Sequence, residues 1–195
     1  MRRVCLFLVL VLSSCVTEVE GQARPNQDAA AEAAARYTAD GDIPAVTTLT
    51  SPSALHSGAD VDYPESPPYG GDHDLAWADC TGTIYPEPIR SENAVHSLEH
   101  GAVWVTYAPD LGAQDIEVLE ALVAGVDHTM LSPYEDLDAA VSVQSWGRQL
   151  KVDFADDPRL EAFVRIYRLN PETTPEIGAT CSNPEFAASP RGPGS

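Results

Sequence analysis

Residues 92–107 read ENAVHSLEHGAVWVTY, and this segment sets the architecture of the chain. Residues 92–100 favour a short helix, and Gly101 follows at the position where glycine most often ends a helix. Residues 102–107 are rich in β-branched and aromatic side chains, which is typical of a buried strand. The segment therefore predicts a helix that turns sharply into a central strand of a sheet.

The pattern continues downstream with alternating helices and strands. Apolar side chains recur at helical spacing in residues 113–124 and 160–169. Residues 128–131, 140–143 and 148–152 predict strands, the last two as an antiparallel pair. We therefore expect the α+β class: a two-layer domain with a mixed, mostly antiparallel sheet, two helices and a long Pro/Gly-rich N-terminal wrap. The N-terminal wrap is the irregular segment at the start of the domain that includes residues 63–73.

The N-terminus carries the features of an export signal. Arg2 and Arg3 precede an apolar run over residues 5–12 that is too short to span a bilayer as a helix. The run ends in Leu-Ser-Ser before Cys15, which resembles the bacterial lipoprotein signal, in which the cysteine is lipidated. The alternative is an ordinary cleaved secretory signal with an incidental cysteine. Either interpretation predicts export, and the first predicts a cell-envelope lipoprotein anchored to a membrane.

Composition shifts divide the chain of 195 residues into four parts. An Ala-rich segment and a Thr/Ser/Pro stretch after the signal are typical of a spacer, and a Pro/Gly/Ser-rich end is typical of a frayed tail. The predicted parts are a signal peptide (1–14), a tether (15–52), a globular domain (53–186) and a disordered tail (187–195).

The charge excludes some partners. The formal net charge is −19, with 30 acidic residues against 11 basic ones. Nucleic-acid binding needs a basic face, and attachment through a polybasic patch needs one as well. We therefore expect no nucleic-acid partner, and membrane contact only through the lipid.

Two cysteines are left once Cys5 is removed with the signal and Cys15 takes a lipid. An oxidising compartment would join Cys80 to Cys181. Metal ligation or a redox couple is the alternative, although the sequence contains no Cys-x-x-Cys motif. The sequence therefore favours a structural disulfide that closes a loop of about 100 residues, which is worth roughly 4–5 kcal/mol.

Histidines supply the candidate metal ligands. On the predicted helix, His96, Glu99 and His100 share one face, and imidazoles four residues apart can bind one divalent ion. His73 follows a Pro-Pro-Tyr-Gly-Gly loop that can bring it to the same point as a third ligand. His56 is the weaker candidate. The competing interpretations are solvated side chains, or core groups that hydrogen-bond the loop to the sheet.

The same five residues match His-x-x-Glu-His, a zinc-peptidase pattern in which the glutamate is the general base. That motif normally lies within a long helix, whereas Gly101 ends this one at the last histidine. A zinc-dependent hydrolase with Glu99 as base therefore remains an alternative to a site that only binds metal.

Several strings together resemble the DUF3105 family of exported bacterial proteins, over about residues 53–182. The strings that carry the resemblance are His56, Tyr63, the loop from Pro67 to His73, Trp77, Cys80, Tyr85, Val95–Val103, Tyr107, Trp146-Gly147 and Cys181. The resemblance implies a domain of unassigned function. It also implies that His56, His73, His96, Glu99 and His100 lie on the family's motif.

These observations predict a lipid-anchored, extracytoplasmic protein that binds copper or zinc through imidazoles. No catalytic nucleophile with a base partner stands out, which favours metal handling, delivery or sensing over catalysis. A cell-envelope interaction module, with the Pro-Pro-Tyr-Gly-Gly loop as its partner surface, is the non-metal alternative. The sequence specifies no protein partner.

Overall fold

The computed structural model describes residues 27–195, which form five helices and six strands. The elements in chain order are α1 (Gln27–Ala34), β1 (Thr47–Thr48), β2 (Thr81–Ile84), α2 (Ser91–Glu99), β3 (Val103–Tyr107), α3 (Ala113–Val123), β4 (Thr129–Pro133), β5 (Val141–Ser145), β6 (Arg148–Val152), α4 (Pro158–Tyr167) and α5 (Pro184–Ala188).

The strands form one mixed sheet in the order β1-β6-β5-β3-β4-β2. β3 runs parallel to β4, which is itself parallel to β2, while the pairs β3–β5, β5–β6 and β6–β1 are antiparallel. Val105 in β3 lies opposite Leu131 of β4 and Val143 of β5. The predicted α+β class and mixed sheet are confirmed.

Both faces of the sheet are covered, so the fold has one layer more than the two predicted. Val103 and Val105 of β3 belong to a core shared with α3 and α4, whereas Trp104 points to the other face and packs with α2. This division follows from the alternation of side chains along a strand. The second face is covered by α2, the N-terminal wrap and the C-terminal segment, and the histidine cluster lies on this side.

The patterned segments are confirmed with small shifts of their ends, whereas four short elements were not predicted. Those four are α1, which lies in the Ala-rich segment, and β1, β2 and α5. β2 pairs in parallel with β4 from a distant part of the chain, and its register shifts between Thr81 and Thr83. Its stability therefore depends on non-local pairing and not on a local pattern.

Gly101 makes the predicted turn between α2 and β3. Its φ is +96°, a left-handed conformation that glycine adopts without strain. A Cβ atom there would lie 3.0 Å from Cγ2 of Thr174 and 3.2 Å from Cδ2 of Leu169. The turn thus needs glycine for its dihedral angle and for the close approach of the 169–174 segment.

Parts of the predicted tether and tail belong to the folded unit. Ala34 of α1 and Ile43 are buried in the core beside α4. In the tail, the carbonyl of Arg191 accepts a hydrogen bond from the backbone of Arg90, and its guanidinium lies 3.2 Å from Asp74. The low-complexity composition concealed these contacts, because a single apolar side chain or a backbone carbonyl leaves no periodic pattern.

The predicted export signal and Cys15 lie outside the described residues. Among residues 27–195, none of the helices is long and apolar enough to cross a membrane.

Candidate metal centre

A bridge between two loop segments brings the first two histidines together. The backbone of His73 donates to the Leu55 carbonyl at 3.0 Å, and Ser57 donates to the His73 carbonyl at 2.7 Å. His56 and His73 therefore pair as an isolated parallel bridge, and their ring centroids lie 4.8 Å apart. The Pro/Gly-rich wrap thus places two imidazoles side by side without a regular strand.

Helix α2 supplies the other ligands from an unusual position. Residues 92–99 are all buried, although five of them are polar or charged. The wrap lies along the helix: Asn93 donates to the carbonyl of Ala76 at 2.6 Å, and the Ser97 hydroxyl donates to that of Ala78 at 2.7 Å. These hydrogen bonds satisfy buried polar groups and hold residues 74–78 against the helix.

Three of the histidine rings are oriented by the same kind of hydrogen bond, from Nδ1 to a backbone carbonyl. Nδ1 of His73 donates to the Gly71 carbonyl at 2.9 Å, that of His96 to Asp74 at 2.7 Å, and that of His100 to Thr180 at 2.8 Å. A carbonyl oxygen can only accept, so each Nδ1 carries a proton, and in the neutral form of each ring Nε2 keeps its lone pair. A backbone carbonyl on the far nitrogen is the usual partner of a metal-binding imidazole.

Four ligand atoms then converge. His56, His73, His96 and Glu99 each place one nitrogen or oxygen so that all four lie within 4.8 Å of one another. The rings of His56 and His96 are 4.8 Å apart, and those of His73 and His96 are 4.9 Å apart. Ligand atoms of a tetrahedral zinc site are about 3.3 Å apart, so small side-chain movements would close this group around an ion.

The contact between His73 and Glu99 is the most unusual feature of the cluster. Nε2 of His73 lies 2.9 Å from Oε2 of Glu99, and both side chains are almost fully buried. Neither atom has a hydrogen-bond partner among residues 31–195. With His73 neutral and protonated on Nδ1, and with Glu99 ionised, two acceptors face each other, and a proton or a metal cation between them would satisfy both.

Burial sets the protonation of the cluster. Burial lowers the pKa of His96 to about 4. The hydrogen bond that Nδ1 donates to the Asp74 carbonyl opposes this shift, and the three nearby imidazoles add to it. Burial also lowers the pKa of His100, while the Thr180 carbonyl and Glu176 oppose the shift. Burial raises the pKa of Glu99, although neighbouring His73 and His56 oppose it. The two helix histidines are thus neutral near pH 7, as ligation requires.

A second group of ligands shares one residue with the first. His96, His100 and Glu176 also place ligand atoms within 4.8 Å of one another. Nε2 of His100 lies 3.7 Å from Oε2 of Glu176, which is too long for a hydrogen bond. The backbone of Glu176 donates to the Glu99 carbonyl at 3.0 Å, which fixes this loop at the end of α2.

The structure therefore divides the predicted ligands between two groups that share His96. His73, His96, Glu99 and His56 form the first group, while His100, predicted as a core ligand beside His96, lies in the second. Glu176 was missed because it stands in a Pro/Thr/Gly-rich segment without a pattern. Its only sequence signal is its position five residues before Cys181, whose predicted bond to Cys80 draws the segment towards the wrap.

The predicted disulfide is present. Cys80 and Cys181 are bonded and buried, with Cα atoms 4.8 Å apart. Asp127 and His128 lie beside Cys181, but a sulfur in a disulfide is not a thiolate ligand. This third group therefore lacks its sulfur donor in the oxidised protein.

Two tryptophans pack against the histidine cluster. The half-buried ring of Trp77 lies 5.7 Å from that of His96 and 5.1 Å from that of His100, and Trp146 lies 5.8 Å from His73. Trp146 packs in the core of this face, and Trp77 lies against the two helix imidazoles.

The fold and this constellation define the class: an α+β domain with a buried His/Glu cluster on one face of a mixed sheet. Residues 55–183 match the family described as "Protein of unknown function (DUF3105)", and the chain belongs to that family. The match confirms the resemblance and agrees closely with the predicted extent. No curated protein and no solved structure matches the chain.

Proposed function

We propose that this domain binds one copper or zinc ion between His73, His96 and Glu99, with His56 as the fourth ligand. The observation that carries the proposal is the unsatisfied pair formed by Nε2 of His73 and Oε2 of Glu99, both buried and 2.9 Å apart. Nδ1 of His73 is bonded to the Gly71 carbonyl, which leaves Nε2 to face Glu99.

The donor set agrees with copper or zinc. Imidazole nitrogens suit both ions, and a single carboxylate reduces the charge of a divalent cation without favouring calcium or magnesium, which prefer oxygen ligands. The low pKa of His96 keeps its lone pair free well below pH 7. Neutral ligands that are already oriented reduce the cost of binding.

The arrangement favours handling or sensing over catalysis. Catalytic zinc sites usually present three protein ligands and keep a position open for water. Here four protein groups converge, and the one that can leave most easily is His56, whose side chain is 39% exposed. A ligand of this kind supports exchange of the ion with a partner more directly than activation of a bound water.

One observation favours the alternative, a zinc-dependent hydrolase. Burial raises the pKa of Glu99, as it does for many carboxylates that act as general bases. The substitution Glu99→Gln distinguishes the two functions. If Glu99 is the general base of a hydrolase, the variant should keep its metal and lose turnover of a peptide or ester. If Glu99 is a metal ligand, the variant should bind the metal more weakly.

The location proposed for this function is the cell envelope. The pattern ending at Cys15 supports lipid anchoring, and the disulfide between Cys80 and Cys181 agrees with an oxidising compartment. In this arrangement the domain would meet metal ions outside the cytoplasm.

Titration of the untagged protein with Cu²⁺ and Zn²⁺ tests the proposal. His73→Asn and His96→Asn are suited to this, because the asparagine amide can still donate where Nδ1 did while Nε2 is removed. We expect one bound ion per wild-type chain and none in the double variant. His128→Asn is the matched control: His128 is buried, lies outside both histidine groups, and its φ of +59° suits asparagine. Equal affinity in all three proteins would refute the proposal.

A further inference from the structure

The second group of ligands has a role of its own. Resting on the proposed function, we propose that His100 and Glu176 form an outer position that captures the metal ion and passes it to the buried group through His96. The observation that carries this inference is the membership of His96 in both groups, in each of which it offers a ligand atom within 4.8 Å of those of the other members.

His96 can complete only one group at a time. Its Nδ1 is committed to the Asp74 carbonyl at 2.7 Å, so Nε2 offers its single lone pair. One lone pair binds one ion. The two groups are therefore alternative positions of a shared ion and not two sites filled together.

The difference in solvent exposure indicates which of the two positions an ion from solution reaches first. His73 is fully buried and Glu99 nearly so, whereas the side chain of Glu176 is 49% exposed. A carboxylate at the mouth of the cluster attracts a cation from solution, and such steering raises association rates. His56 also reaches solvent, but it lies far enough from Glu176 to belong only to the buried group. An ion would meet charge first at Glu176.

The outer and buried groups are connected through the end of α2. His96 and His100 stand one turn apart at the end of α2, with ring centroids 4.7 Å apart. The backbone of Glu176 is hydrogen-bonded to the carbonyl of Glu99, which is a buried ligand. Trp77 packs against both helix histidines. An ion can thus exchange His100 and Glu176 for His73 and Glu99 while His96 stays bound.

Detailed balance makes the inference testable. A residue that contacts the metal ion only on its way into and out of the buried group changes the association and dissociation rate constants by the same factor. It leaves the equilibrium constant for metal binding unchanged. Stopped-flow quenching of tryptophan fluorescence by Cu²⁺ gives the association rate, because Trp77 lies beside the path. Displacement by excess chelator gives the dissociation rate.

We expect Glu176→Gln to slow both rates about tenfold, within the range that charge steering supplies. His100→Asn removes a neutral ligand of the outer position and should slow both rates as well. Glu172→Gln removes a charge from the same segment outside both groups and should change neither rate. His56→Asn should weaken the equilibrium affinity, as loss of a buried-group ligand requires.

Three results would overturn the inference while leaving the proposed function intact. They are unchanged rates in Glu176→Gln, two ions bound per chain at saturation, or slow association in His56→Asn in place of Glu176→Gln. Absence of any Cu²⁺ binding by the wild-type protein would instead overturn the proposed function and, with it, the outer position.

Discussion

Nε2 of His73 faces Oε2 of Glu99 at 2.9 Å in the interior of the domain, and neither atom has a hydrogen-bond partner in the described part of the chain. Nδ1 of the same ring is bonded to the Gly71 carbonyl, so the loop fixes the tautomer that leaves the two acceptors facing each other. A buried pair of this kind is costly without a proton or a metal ion between its members.

Glu99→Gln should have opposite effects with and without metal. The amide can donate to Nε2 of His73, which relieves the unsatisfied pair and stabilises the metal-free domain by about 0.5–1.5 kcal/mol. Loss of the carboxylate should weaken metal binding roughly a hundredfold or more, beyond the 10- to 100-fold cost of losing a ligand's partner. Thermal unfolding with and without Zn²⁺ measures both effects, with Glu172→Gln as the control. A metal-free variant less stable than wild type would contradict this account.

The stability of the metal-free domain should depend on pH through His96. Its folded-state pKa is about 4, below the ordinary value of 6.5, so the unfolded chain binds the additional proton between these values. The contribution of His96 to the free energy of unfolding is therefore fully present above pH 6.5. It is lost as the pH falls towards 4, by at most about 1.4 kcal/mol per pH unit.

The comparison that isolates this effect is wild type against His96→Asn in the presence of a chelator. The difference between their free energies of unfolding should grow as the pH rises from 4.5 to 6.5, because all other titrating groups are common to both proteins. A difference that stays constant over this range would show that His96 is not held neutral by burial.

Loss of the disulfide should destabilise the domain more than it alters the buried metal group. The bond joins residues 101 positions apart, and opening such a loop costs about 2–5 kcal/mol. The side chains of His73, His96 and Glu99 come from the N-terminal wrap and from α2, and not from the C-terminal segment that contains Cys181. Urea unfolding of the double variant Cys80→Ser, Cys181→Ser should show a lower midpoint, while titration of its folded form still shows one bound ion. An unchanged midpoint would contradict the structural role.

Lipid attachment is a separate prediction. In a bacterial host the full-length protein should incorporate labelled fatty acid and partition into detergent, and Cys15→Ser should abolish both. Cys5→Ser is the matched control, since it lies within the apolar run and should change neither. Labelling that persists in Cys15→Ser would contradict the lipoprotein interpretation.

Local patterns predicted the framework of the fold. Gly101 marked the turn between α2 and β3, and the β-branched run before Tyr107 marked the central strand, because both signals depend on neighbouring residues. β2 was missed since it is stabilised by distant pairing with β4. The covering of both sheet faces was missed for a related reason: the N-terminal wrap packs on α2 through single polar contacts that leave no period in the sequence.

The candidate site was predictable where its residues share an element. His96 and Glu99 lie one turn apart on α2, and the spacing showed this. His73 and His56 depend on a bridge between two irregular loops, which only the structure reveals. The separation of His100 from the buried group, and its pairing with Glu176, depends on where the C-terminal segment returns to the helix, and no local pattern specifies that return.

Elemental analysis of untagged protein purified from its own host shows most directly whether these side chains form a metal centre. We expect close to one equivalent of copper or zinc per chain in the wild type, and none in the double variant His73→Asn, His96→Asn. A folded wild-type protein without metal, or a double variant that retains it, would contradict the claim that these side chains form a metal centre.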